Sequence, residues 1–236
     1  MDWLTAATYN IHQCVGVDER HDPDRVARVI LELDARVIGL QEVSSGASTG
    51  SLTRGVEYLA EATGFKAVPG PTMLRGDSYY GNALLSGFPV AGVRHIDLSV
   101  RGREPRGAID AVLDVQGHAV HVVVTHLGLN RAERRAQVRR LTEFLHREGD
   151  EMTIVLGDTN EWLPLSRSLV PLEQCFGKAP APCTYPSRRP ILALDRIWVR
   201  PREAFSSMCV HKTSLSRIAS DHLPLKARVT VVRSTP

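Results

Sequence analysis

Five short polar groups in this chain stand at the ends of apolar stretches. Tyr9-Asn10 lies near the start, and Gln41-Glu42 follows Val37-Ile38-Gly39-Leu40. Thr125-His126-Leu127 follows Val122-Val123-Val124, and Gly157-Asp158-Thr159-Asn160 follows Met152-Thr153-Ile154-Val155-Leu156. Ser220-Asp221-His222 precedes Leu223-Pro224-Leu225. Short continuous apolar runs read as buried strands, so acids, amides and histidines are gathered at strand ends. Such residues are the material of a metal-assisted hydrolytic site. Asp158 and Asn160 are two apart, which directs both to one side of an extended strand end.

Many strands and few helices must position these groups. Strands are expected at Trp3 to Ile11, Arg36 to Leu40, Phe65 to Pro69, Tyr79 to Ser86, Val90 to Leu98, Ala108 to Val115 and Ala119 to Thr125. Later ones are expected up to Gly157 and around Leu192 to Val199, Ser206 to His211 and Leu223 to Val232. Gln116-Gly117 suits a tight hairpin turn. Asp22 reads as the N-cap of a helix with Pro23 at its first position, and Val26, Val29, Ile30 and Leu33 form its buried stripe. A Gly/Ser-rich stretch, Ser44 to Ser51, leads into a second helix from Leu52 to Thr63. Asn130 and Glu133 have capping-box spacing ahead of a helix that buries Val138, Leu141 and Leu145. A short helical piece is expected near Leu163 to Leu169. Scattered helices among many strands predict an α/β sandwich, two sheets face to face with helices on the outer faces. The polar groups recur from residue 10 to residue 222 without a dividing linker, so residues 1–236 read as a single domain.

Composition narrows the function classes. Hydrophobic content of 43%, charged content of 23% and a net charge of +3 describe a globular protein without the basic concentration of a dedicated nucleic-acid domain. Cys14, Cys175, Cys183 and Cys209 show no CxxC pairing, which argues against a zinc ribbon and for reduced thiols. No apolar run has the length of a membrane span, and no basic-then-apolar leader opens the chain; a cytoplasmic monomer without an obligate protein partner is expected.

Taken in order, Asn10, Gln41-Glu42, Gly81-Asn82, Thr125-His126-Leu127, Gly157-Asp158-x-Asn160, Asp195-Arg196-Ile197 and Ser220-Asp221-His222 resemble the endonuclease/exonuclease/phosphatase family, the deoxyribonuclease I-like superfamily, in its compact bacterial form. The resemblance covers essentially the whole chain and implies a four-layer α/β sandwich. It also implies a divalent-metal-dependent phosphoesterase. Glu42 is the first choice as ligand to Mg²⁺ or Mn²⁺, since hard cations prefer carboxylate oxygen. By resemblance Asn10 and Asp221 help hold that ion, directly or through water. Asp158 is implied to orient or deprotonate the attacking water, and Asn160 to donate to a phosphoryl oxygen. His222 resembles the general base or phosphate-polarising imidazole, oriented by Asp195, a pairing that favours the imidazolium. His126 would bind phosphate or assist the leaving oxygen, and Asn82 would contact phosphate. Arg106 is a candidate clamp because guanidinium matches phosphate in a bidentate way; Arg103 is a weaker one.

The family usually places Phe where Thr159 stands, and Trp162 is expected to take over that packing. The other histidines, His95, His118, His121, His146 and His211, read as structural or surface residues. Arg131, Arg134, Arg135, Arg139 and Arg140 read as a solvated helix face before a polyanion track. The loop Pro186-Ser187-Arg188-Arg189-Pro190 is expected near the mouth of the site. The substrate is expected to be a phosphodiester of a nucleic acid, lipid or small molecule, with a phosphomonoester as the alternative. A non-catalytic binding module would have lost one of Glu42, Asp158, Asn160 or His222, and all four are present.

Overall fold

The structure, a computed structural model, describes residues 3–45, 55–75, 78–147, 151–163 and 166–231. Among the described residues, eleven strands form two sheets. The first has six: β1 (Trp3–Asn10), β2 (Val37–Ser45), β3 (Lys66–Arg75), β4 (Ser78–Ser86), β10 (Phe205–Val210) and β11 (Leu225–Thr230), in the order β10-β11-β1-β2-β4-β3. The second runs in chain order through β5 (Val90–Asp97), β6 (Gly107–Val115), β7 (His118–His126), β8 (Thr153–Asp158) and β9 (Asp195–Arg200). Each sheet has one parallel pair, β1 with β2 and β7 with β8. Their crossovers carry the helices α1 (Pro23–Glu32) and α3 (Arg131–Arg147).

Three apolar cores define four layers. Leu4, Ala6, Leu84, Ile109, Val122, Val124, Ile154, Leu156, Leu225 and Ala227 pack between the sheets. Alternate residues of the same strands, including Ala7, Tyr9, Ile38 and Leu40, pack outward on Val26, Val29, Ile30 and Leu33 of α1 and on Leu59 of α2 (Gly55–Thr63). Val123, Val155 and Trp198 pack on Val138, Leu141 and Leu145 of α3 and on Leu172 and Phe176 of α4 (Val170–Phe176). Strands buried on both faces read as continuous apolar runs because both residues of each pleat are out of water. Gly39 lies where the sheets approach closely: a Cβ there would overlap Leu156 Cδ1 and meet Val124. Among the described residues no helix is long and apolar enough to cross a membrane.

Local signals account for some of the element ends. Asp22 Oδ1 accepts Arg25 N–H at 2.8 Å, capping α1 ahead of Pro23. Gln116 and Gly117 both have positive φ, 57° and 87°, as a tight turn between β6 and β7 requires. Several readings need correction. β2 continues beyond Leu40 through a bulge at Gln41-Glu42 to Ser45, so part of the Gly/Ser-rich stretch is strand. Residues 46–54, with the expected start of α2, lie outside the described residues. β3 runs through Pro69 and Pro71 because it is an edge strand, where a missing N–H is tolerated. The short helix is α4, later than expected: Pro171 pre-sets its first turn. Upstream, the Glu161 carboxylate draws Leu163 N–H and the Ser166 hydroxyl into turns that compete with helix. Asn130 does accept from the first-turn amides of Ala132 and Glu133, but Glu133 does not reciprocate; it receives Gln137 Nε2 at 3.1 Å instead.

Candidate active site

Both parallel pairs end at the same edge of the sandwich, and register aligns the side chains there. Asn10 is level with Gln41 across β1 and β2, while His126, Asp158 and Asp195 form one row across β7, β8 and β9. The bulge in β2 puts Glu42 at φ 57°, turning its carboxylate out of the pleat. Its neighbour Gln41 stays buried and takes the Thr8 hydroxyl. The Ser220 hydroxyl donates to Asn10 O at 2.7 Å and accepts His222 N–H at 3.2 Å, which pins Asp221 and His222 beside the end of β1.

These elements enclose a cleft of about 680 Å³. Glu42, Arg106, His126, Asp158, Asn160, Asp221 and His222 line it, with Tyr80, Glu104, Tyr185 and Trp162 around them. Asn10 and Asp195 stand behind this lining. Asn10 Nδ2 donates to Glu42 Oε1 and to Asp158 Oδ2, both at 3.0 Å, and its Oδ1 accepts His12 N–H. Asn10 thus ties together carboxylates from opposite sheets. Asp195 Oδ2 accepts from His222 Nδ1 at 2.9 Å and from the Thr184 hydroxyl at 2.5 Å. The other side of the His222 ring faces Asp158, with Nε2 3.7 Å from Oδ2. Tyr185 packs on the ring at 4.9 Å between centroids.

Burial alone would lower the pKa of His222, but the charges of Asp195, Asp158 and Asp221 outweigh it and raise the value to about 10. His222 is therefore an imidazolium at neutral pH. His126 has the opposite character. Burial holds it at about 3 despite the pull of Asp158, with Arg106 and His222 adding to the depression. Both ring nitrogens of His126 face donor groups: Arg106 Nη1 lies 3.1 Å from Nδ1 and Asn160 Nδ2 lies 3.0 Å from Nε2. Nε2 is also 3.6 Å from Asp158 Oδ2. Asn160, at φ 49°, turns back so that its Nδ2 donates to Leu127 O and its N–H to Asp158 Oδ1, both at 2.9 Å.

Glu42, Glu104, Asp158 and Asp221 bring four carboxylates to the cleft lining, against the cations of Arg106 and His222. Arg106 is itself paired with Glu104 at 3.1 Å. An oxygen-rich surplus of negative charge without thiolate suits a hard divalent cation. Asp158, Asp195 and His222 also bring ligand-type atoms within 4.8 Å of one another. These atoms are already engaged: His222 Nδ1 donates to Asp195 Oδ2, and Asp158 Oδ2 accepts from Asn10. The half-buried Glu42 and Asp221 are the carboxylates turned toward the open cleft.

Asn82 lies beside the cleft: its Nδ2 donates to Gly107 O at 3.0 Å, bracing the residue after Arg106, and its buried Oδ1 has no partner among the described residues. Trp162 does not replace the missing aromatic packing. It is 54% exposed at the cleft, while Thr159 is buried and bonds Leu194 O through both hydroxyl and N–H. Thr184 and Tyr185 escaped the sequence reading as site residues, and Ser220 was read within the Ser220-Asp221-His222 motif without a role of its own. The only signal for the first two was position, beside the loop 186–190. Arg134 is not on the solvated face; it is 1% exposed.

A model of the Endonuclease/Exonuclease/phosphatase family matches residues 7–222. The uncharacterized protein YbhP of Escherichia coli K12 is 30% identical over 240 residues, covering 94% of each chain. Among solved structures, an endonuclease/exonuclease/phosphatase from Beutenbergia cavernae superposes with a TM-score of 0.75 at 23% identity, covering 98% of this chain and 72% of that one. TDP2 of D. rerio, complexed with a single-strand DNA product, gives 0.70 at 18% identity over 98% and 100%. The catalytic domain of human Nocturnin, with bound sulfate, gives 0.69 at 19% over 96% and 95%.

Proposed function

Because this chain belongs to the endonuclease/exonuclease/phosphatase family, we propose that it is a divalent-metal-dependent phosphoric ester hydrolase, cleaving a phosphodiester by in-line attack of water. The observation that carries this reading is the pairing in one cleft of an imidazolium held between two aspartates with a surplus of carboxylates. Glu42 and Asp221 would hold Mg²⁺ or Mn²⁺, with Asn10 fixing the Glu42 carboxylate. The bound ion supplies positive charge against the phosphoryl oxygens.

The chain's own groups supply the rest. Asp158, locked by Asn10 and by Asn160 N–H, orients the attacking water and takes its proton. His222 has no free lone pair as an imidazolium, so it acts as a charged donor to a phosphoryl oxygen rather than as the base. Asp195 keeps its Nδ1 proton in place. His126, held neutral by burial, would contact the phosphate or assist the departing oxygen. Asn160 and Arg106 add neutral and charged donors. Arg106 is the one arginine among the described residues lining the cleft, which favours an isolated phosphodiester over an extended polyanion that needs a cationic track. A cytoplasmic, monomeric enzyme is part of this reading.

A metal-supplemented panel of bis-p-nitrophenyl phosphate, phospholipids, phosphoinositides, RNA and plasmid DNA tests it. Hydrolysis of a diester with Mg²⁺ or Mn²⁺, lost in EDTA, is expected. Inertness toward the whole panel, or full activity after exhaustive chelation, overturns it.

A further inference from the structure

Behind the His126 loop, the first two turns of α3 bury three polar residues, Glu133, Arg134 and Gln137. An arginine excluded from water persists only where its donors are matched, and the partners of Arg134 lie on two different loops. Nη1 donates to the carbonyls of Gly128 at 3.2 Å and Leu129 at 2.6 Å, in the segment that follows His126. Nε and Nη2 both reach Glu161 Oε2 at 3.2 Å, and Glu161 directly follows Asn160. Glu161 is anchored in turn by Leu163 N–H and the Ser166 hydroxyl. Gln137 Oε1 fixes the first loop again, through Gly128 N–H at 2.8 Å. On the cleft side of the same two loops, Asn160 meets His126 Nε2 and Leu127 O.

We infer that Arg134 and Glu161 are a positioning pair that sets the spacing of His126 and Asn160, the neutral donors of the cleft. The inference rests on the phosphoesterase reading for its effect on rate, but not for its effect on the loops. None of the pair's hydrogen bonds reaches Asn10, Glu42 or Asp221, which belong to β1, β2 and the turn before β11. The pair therefore acts on turnover and not on metal binding. A lysine could not replace Arg134, because a single ammonium cannot present a planar fork to two carbonyls and a carboxylate at once.

A single substitution strands a buried charge, so the test uses the paired replacement Arg134→Met with Glu161→Leu, which removes both charges and keeps the volume filled. With bis-p-nitrophenyl phosphate and Mg²⁺, kcat should fall roughly 10- to 100-fold, as expected for donors displaced by about an ångström. KM and the Mg²⁺ half-saturation should stay within about twofold of wild type, since neither the charge nor the ligands of the metal side are touched. Arg134→Lys should not restore kcat, and Arg135→Ala, exposed on the same helix, should match wild type. Hydrogen exchange reads the loops independently of activity: amides of 127–129 and 159–163 should exchange faster, and those of 41–43 and 220–223 should not. If the paired variant does not fold, Glu161→Gln, which keeps shape and an acceptor, is measured by the same exchange.

Wild-type kcat in the folded variant, full rescue by lysine, a parallel loss of Mg²⁺ affinity, or unchanged exchange in both loops overturns the inference. An inactive wild type sinks the phosphoesterase reading, and the exchange measurement still decides the positioning role.

Discussion

Replacing Asp195 by Asn keeps the shape beside His222 and removes the charge that does most to protonate it. In the native protein, burial depresses the His222 pKa, and Asp195, then Asp158, raise it to about 10. Displacement from the ordinary 6.5 to about 10 corresponds to about 5 kcal/mol of preference for the imidazolium. Without the Asp195 charge, burial is opposed mainly by Asp158, and the pKa should return to about 6.5 or below. At pH 8 the imidazolium fraction then drops from nearly complete to about 3%, so phosphodiesterase turnover should fall about 30-fold or more. At pH 5.5 most rings are charged again, and the ratio of variant to wild-type rate should recover by about 30-fold.

The linked stability has a definite sign. The folded pKa lies above the unfolded one, so the stabilisation from this pair is complete below about pH 6.5 and is lost as pH rises through about 10. Wild type should exceed the variant in Tm by more at pH 6 than at pH 10. The assay is initial rate on bis-p-nitrophenyl phosphate from pH 5.5 to 9 at saturating Mg²⁺, with melting curves at each pH. A rate ratio independent of pH, or a wild-type rate at pH 8, refutes the charged role of His222 and leaves Asp195 as an orienting group only.

Chelation should abolish hydrolysis, and Glu42→Gln should raise the Mg²⁺ concentration for half activity about tenfold or more while high Mg²⁺ recovers part of the rate; a metal titration superimposable on wild type rejects Glu42 as a ligand. His126 has the opposite linkage to His222. Its folded pKa of about 3 lies below the unfolded 6.5, so stability is full above pH 6.5 and is lost as pH falls toward 3. At pH 5 that loss amounts to about 2 kcal/mol, or roughly 4–8 °C in Tm, and His126→Gln should escape it; equal acid sensitivity of the two proteins contradicts the assignment. Gly39→Val should overpack the contact of β2 with Leu156 and Val124 and cost about 1–3 kcal/mol. A Tm equal to wild type would show that the sheets can separate there freely.

Much of the fold was legible because its signals are local. The run Val122-Val123-Val124 and the stripe Val26, Val29, Ile30, Leu33 are apolar at strand and helix periods, and burial on one or both faces follows from those periods. Asp22-Pro23 and Gln116-Gly117 carry their backbone chemistry within two residues. The convergence of the candidate site's residues was legible for a related reason. Polar residues that close apolar strands must sit at sheet edges, and register then carried His126, Asp158 and Asp195 into one row.

Other features depend on partners that are distant along the chain. Glu42 reads as a strand end, but pairing of β2 with β4 on both sides of the bulge makes it a left-handed residue inside the strand. Arg134 looks like one more exposed cation of α3 until Glu161, 27 residues later, folds against it. Trp162 is a large aromatic residue and still stands half exposed at the cleft, while Thr159 is buried and bonds Leu194 O. His126 and His222 are chemically identical in sequence; one is held neutral and the other charged. Periodicity and capping are properties of neighbouring residues, so sequence alone determines them. Charge state and side-chain direction are set by burial and by Coulomb interactions across tens to hundreds of residues, and only the assembled tertiary structure decides them.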